Sequence, residues 1–320
     1  MTLRSHPALA ATLLLPASLT FAASLSVSEP VIRKDLPSAS ANMLMGERLY
    51  VVGDDASFLF VLDNNFEMID KTPISPLQPA ADGRVPGDIK EDMEAMDAME
   101  VHGEAALVIL GSGTKPRFRE KGIVLALDNS FKVERDLAPL YQQLHQATGF
   151  KASETLNIEG LASDAEYVYI FNRGSRSPNA IFRLNKANFI QYMLGQTDSI
   201  EHINAQIVRL PKNNVMESTF SGAVYSPAMK KLFFTASMEG DKNEILGSFV
   251  GWLTPEQMDF KSPLDLSSQP LAVMLNGKNL INKIESITLS REDENQVEGA
   301  LAADNDDGTS QFMRFTLSLD

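Results

Sequence analysis

The sequence predicts an all-β chain closed into a β-propeller of about five four-stranded blades. Three observations predict it. A strand pattern recurs five times, a further strand-like stretch follows each recurrence but the last, and an N-terminal segment can supply the missing one.

The five recurrences are "SASANMLMGERLYVVGDDASFLFVLD" from Ser38, "DMEAMDAMEVHGEAALVILGSG" from Asp92, "NIEGLASDAEYVYIFNRGS" from Asn157, "TFSGAVYSPAMKKLFFTASMEG" from Thr219 and "KIESITLSREDENQVEGALAADNDDG" from Lys283. Each opens on a small or acidic pair and a short apolar strand. A polar turn, a strongly apolar strand and a loop rich in Gly, Asp, Ser or Asn follow. Equivalent positions Ser40, Glu94, Glu159, Ser221 and Glu285 are separated by 54, 65, 62 and 64 residues. That period exceeds the roughly 40–50 residues of a minimal blade and leaves room for long loops.

Third strands are expected at Phe58–Leu62, Ile123–Leu127, Ala180–Leu184, Ile245–Trp252 and Phe312–Leu319. Fourth strands are expected in "FEMIDKTPI", "KVERDLAPLY", "AQIVRLP" and "PLAVMLNG". The fifth unit has none of its own, and Ser28–Ala39, "SEPVIRKDLPSA", resembles those stretches. An N-terminal strand completing the last sheet would close the ring and remove its open edges. Six blades stay open as an alternative, with a degenerate one in Gln191–Gln206 or Asp259–Gln269. Leu137–Thr148 places Leu137, Leu140, Tyr141 and Leu144 at helical spacing and reads as a helix in a blade connection.

With 320 residues, 44% hydrophobic and 22% charged, the composition is that of a globular protein rather than a disordered or fibrous one. The formal charge of −14 repels polyanions, so nucleic acid and anionic membrane surfaces are poor partners. The chain has no cysteine, which excludes disulfides, thiol nucleophiles, cysteine-bound metal and a lipoprotein anchor. Arg4 and His6 precede an apolar run from Ala8 to Ala23, and "LTFAAS" offers small residues for cleavage. Residues 1–23 therefore read as a secretory signal peptide, and 24–320 as a single propeller domain. The expected location is periplasmic or secreted, with no membrane span in the mature protein.

In a propeller the innermost strand of each blade lines a central channel. The start of that strand and the loop after the second strand lie on one face. Glu94, Glu159 and Glu285 should thus converge at one channel mouth. Carboxylates crowded there cannot all ionise without compensation. They suit a hard cation, with Ca²⁺ the candidate, or one of them is held protonated as a general acid or base. Alternatively, each Glu bonds backbone amides of the adjoining blade. Asp54, Asp55, Lys115, Arg117, Arg173, Arg176, Asp304 and Asp306 fall in loops expected to rim the same mouth. Their basic members could hold an anionic group. "DNDDG" at Asp304–Gly308 lacks the Gly and Glu register of an EF-hand and reads as an Asp-rich turn.

No G-x-S-x-G, H-E-x-x-H, P-loop or G-x-G-x-x-G occurs. His102, His145 and His202 form no zinc-like pattern, and Met93, Met96 and Met99 read as core filler.

The units "IEGLA…YVYIFNRG", "MEAMD…ALVILGSG" and "IESIT…GALAADNDDG", together with the leader, resemble the phytase-like, esterase-like bacterial β-propellers and their uncharacterised relatives. The resemblance implies an extracytoplasmic propeller, calcium binding, and hydrolysis of a phosphate or carboxylate ester, with no organic cofactor. It implies Glu94, Glu159 and Glu285 as channel carboxylates. Ser40 and Ser221 replace Glu in two units, which weakens the case for a multi-calcium centre. The expected function is binding of a small anionic ligand at the mouth with divalent cation help. The alternative is a non-catalytic scaffold that binds a protein or envelope polymer through its loop-rich face.

Overall fold

The computed structural model describes residues 23–240 and 244–319. The proposed leader lies outside them except for Ala23. Five small antiparallel sheets form a ring of five blades. Their innermost strands are Ala39–Met45, Met93–Val101, Ile158–Ser163, Thr219–Ser226 and Lys283–Glu292, in blades I to V. Each packs against the next around the axis, and that of blade V returns to blade I.

The apolar second strands are buried on both faces, as in Leu49–Val52 and Leu107–Leu110, because each blade is covered by two neighbours. Five apolar cores result, one at each blade seam. At the III/IV seam Phe220 meets Phe171 and Phe234 edge to face, with ring centroids 5.1 and 5.0 Å apart.

No sixth blade is present among the described residues. Asn204–Arg209 is the fourth strand of blade III, and Leu264–Asp265 adds to it in parallel as a fifth. The expected helix forms as α1, Ala138–Thr148, which buries Leu140, Tyr141 and Leu144 and ends on the left-handed Gly149. A second helix, α2 (Lys186–Met193), was not anticipated; the Asn185 side chain caps it. Both helices pack on the II/III core.

The ring closes through the N-terminal segment, with a shift in position. Ser24–Val27 pairs with Phe315–Ser318 as the outer strand of blade V, and Val31–Arg33 pairs with Ser310–Phe312. Only the second lies within the segment read as closing. The region "PLAVMLNG" contributes just Leu271–Ala272 to blade IV, and its remainder turns into a small hairpin. Among the described residues no helix is long and apolar enough to cross a membrane.

Candidate functional site at the channel mouth

Ser40, Glu94, Glu159, Ser221 and Glu285 share one backbone device. Pairing between first and second strands slips at Ala39/Ala41, Met93/Ala95, Ile158/Gly160, Phe220/Gly222 and Ile284/Ser286. Each marker residue is the extra residue of a β-bulge. A bulge breaks the strict alternation of sides and re-aims the side chain. All five are buried. The following position is small every time (Ala41, Ala95, Gly160, Gly222, Ser286), because the inner strands crowd there. A β-carbon on Gly222 would come within 2.7 Å of the Glu285 carbonyl oxygen.

Below this ring the channel narrows to a cavity of about 10 Å³, room for one water at most. Above it opens a polar basin of about 350 Å³. The molecule thus presents a cup rather than a pore.

Two chains of alternating charge line the cup. On blades I and II the Lys90 ammonium bonds Asp54 and lies 2.8 Å from Asp92, and Arg119 donates to Asp92 at 2.8 Å. Across blades III to V, Arg173 joins Glu159, at 3.3 Å, to Glu239. Lys283 lies 2.5 Å from Glu285 and 3.9 Å from Glu239. Asn157 also donates to Glu159, at 2.7 Å. Between the chains sits Glu94, buried and without an ion-pair or hydrogen-bond partner among the described residues. Burial, reinforced by the negative charges of Glu159, Asp92 and Asp54, drives its pKa well above the usual carboxylate range.

Burial also raises Glu159 to about 8 against the pull of Arg173, and Asp304 to about 7. Asp54 is raised by burial too, opposed by Lys90. The cations respond in kind. Charges on Asp54, Asp92 and Glu94 outweigh desolvation at Lys90 and hold it well above the ordinary lysine value.

One oxygen each from Asp54, Asp92 and Glu94 lie within 4.8 Å of one another, a set that could hold a metal ion. The donors fit a hard cation in kind, since all are carboxylate oxygens and Asp54 Oδ1 is buried without a hydrogen-bond partner. Glu159 and Glu285 are not in this set; each faces its own cation. The structure thus brings Glu94 together with Asp54 and gives the other two glutamates to Arg173 and Lys283.

Of the expected rim residues, Asp54, Arg173, Arg176 and Asp306 line the basin, and Arg176 is exposed. Asp55 is buried 2.5 Å from Arg84, and Asp304 accepts the Asp306 amide. Lys115 and Arg117 do not line the basin: Lys115 donates to the Asp88 carbonyl and rests on the Phe118 ring, and Arg117 is exposed. Sequence reasoning missed Lys90, Asp92, Glu239 and Lys283, whereas Arg119 of the basic second-repeat loop does line the basin. A signal existed in part: Asp92, Asn157 and Lys283 each stand two residues before a marker Glu.

Similarity of fold extends to the arabinanase Arb43A of Bacillus subtilis, at 13% identity and TM-score 0.45, covering 89% of this chain and 95% of that one. It extends also to virginiamycin B lyase from Staphylococcus aureus, at 8% identity and TM-score 0.38, covering 93% and 100%. The tail fibre of Staphylococcus aureus phage P68 matches at 10% identity and TM-score 0.46, covering 91% and 52%. These likenesses concern fold alone. No curated protein matches the chain in sequence. Residues 35–317 match one family along almost the whole ring, and the chain belongs to it: the family of unknown function DUF6929.

Proposed function

We propose that the cup binds a hard divalent cation through Asp54, Asp92 and Glu94 and, beside it, a small oxyanionic ligand. The observation that carries this reading is the convergence of three carboxylate oxygens within 4.8 Å where one carboxyl, Glu94, forms no direct ion pair among the described residues. Arg173, Arg176 and Lys283 lie on the same basin wall and can meet the ligand's oxygens. Lys90 already bridges Asp54 and Asp92, so an incoming ion competes with a resident ammonium. Hydrolysis of a bound ester by water is the enzymatic form of the proposal, in which the Glu94 carboxylate would hold the cation and the cation would polarise the ester oxygen. The leader-like first residues support a location outside the cytoplasm, in the periplasm or the medium, for this activity.

The test is a thermal melt with Ca²⁺, Mg²⁺ or Mn²⁺ on the protein and on Glu94→Gln and Glu159→Gln. Binding to the native state alone stabilises by about 2.7 kcal/mol at a hundredfold excess over Kd. The rise is expected to vanish in Glu94→Gln and persist in Glu159→Gln. No metal-dependent rise in the unmodified protein would refute the proposal.

A further inference from the structure

The opposite face of the ring carries a second cleft, of about 320 Å³, between blades III and IV. Its wall includes Asp164, Tyr167, Arg183, Tyr225, Lys230 and Glu256. The inner strand of blade III starts at the mouth with Glu159 and ends at Ser163, so the turn that follows lies at the far end of the channel. The cleft therefore shares no wall with the cup.

Arg183 is its centre. The guanidinium is clamped between two rings, 4.7 Å from the Tyr167 centroid and 4.3 Å from that of Phe260. This arrangement fixes the plane of the group and leaves its edge to donate. Among the described residues no carboxylate pairs with it, and its Nε is buried without a hydrogen-bond partner. Asp164, the nearest acid in the turn, is committed elsewhere. Its Oδ1 accepts the amides of Glu166 and Tyr167 at 2.8 and 2.7 Å, and its Oδ2 accepts the Tyr169 hydroxyl at 2.6 Å. The guanidinium is half-buried with its Nε buried and unmet, and an anionic acceptor is the partner that would satisfy it.

We infer that this cleft is a binding site for a small monocarboxylate with a flat ring body. The carboxylate meets the edge of Arg183, and the ring lies against Tyr167 and Tyr225. Arg183, the one half-buried cation of the wall, matches one negative charge, and Lys230 stands exposed at the rim. Glu166 and Glu256, exposed at the rim, disfavour a dianion. The volume is at the lower end of the roughly 300–1,000 Å³ of small-molecule clefts.

Benzoate is the probe, titrated into isotope-labelled protein and followed by NMR, with benzyl alcohol as its uncharged counterpart and phenyl phosphate as the dianion. Benzoate is expected to saturate shifts around Tyr167 and Tyr225, with benzyl alcohol far weaker. Arg183→Gln should weaken benzoate roughly ten- to a hundredfold, the loss of one charge-assisted hydrogen-bonding group. If that variant fails to fold, Phe260→Leu, which loosens the clamp, is expected to weaken benzoate while leaving benzyl alcohol unchanged. No saturable shift at the cleft, shifts only at Thr114 and Asn157 in the cup, benzoate affinity unchanged from the unmodified protein in a folded variant, or tighter binding of phenyl phosphate would each overturn the assignment.

Discussion

Blade IV and blade III build the same bulge at the start of the inner strand and put it to different uses. At blade IV, Ser221 donates to the Ile284 carbonyl at 2.6 Å, Ser237 reaches the same oxygen at 3.1 Å, and Ser248 bonds the Asn282 carbonyl at 2.8 Å. Short hydroxyls there stitch blade IV to blade V and leave nothing to offer a ligand. The V/I seam is similar: Ser310 donates to the Leu36 carbonyl and accepts the Ala39 amide. At blade III the longer Glu159 side chain instead joins Arg173 above the ring. The backbone device is common to all five blades, and the side chain on it decides between seam and site.

Perturbing the two regions should separate them. The largest effect is expected from Arg173→Ala, which leaves Glu159 with Asn157 and Glu239 with the more distant Lys283; breaking one partner of a buried ion pair costs about 3–5 kcal/mol. Urea midpoints would measure it, and a loss below 1 kcal/mol would mean the ion chain is solvated. Gly222→Ala should come next, at about 1–3 kcal/mol, since its new carbon meets backbone rather than a movable side chain. Ser221→Ala should cost only about 1 kcal/mol, because Ser237 still donates to the Ile284 carbonyl.

The pH dependence sharpens the contrast further. Glu159 and Asp304 have folded-state pKa values of about 8 and about 7, above their ordinary values. A carboxyl raised in this way contributes stability that is complete at acid pH and lost as pH rises through the folded value. The melting temperature should therefore fall between about pH 4 and pH 8 and level off above, and Glu159→Gln should flatten the upper part of that fall. A melting temperature that rises steadily over the window would contradict this assignment. The smallest expected change is Lys90→Gln, which removes the resident ammonium and should tighten divalent binding in a calorimetric titration.

Much of the fold could be read from the chain because each blade repeats its own signal. Apolar second strands such as "LYVV" and "YVYIF" declare themselves, and the third strand Phe58–Leu62 has the limits expected of it. Less visible was α2: eight residues carry little periodicity, and the Asn185 cap is a single residue. The closing strand was placed too late because Pro30 splits it, and its first half abuts the leader. At the site, the repeat brought out Glu94, Glu159 and Glu285, whereas Lys90 and Arg119 come from connections of irregular length that have no counterpart in other units. Ion pairs between such loops depend on where blades meet, which no local pattern encodes. The fivefold small residue after each marker was legible, and it marks how closely the inner strands approach.

The seam at Ser24–Val27 has a consequence for how the ring is made. Residue 24 lies beside residue 318, so this pairing joins the most distant stretches of the described chain. Contacts of such high sequence separation form late and slowly, after a large loop-closure entropy has been met. Until then the outer edge of blade V, Ser310–Ser318, presents free amides and carbonyls to any passing strand. The ring therefore has one vulnerable interval in its assembly, and a short N-terminal strand of four residues brings it to an end.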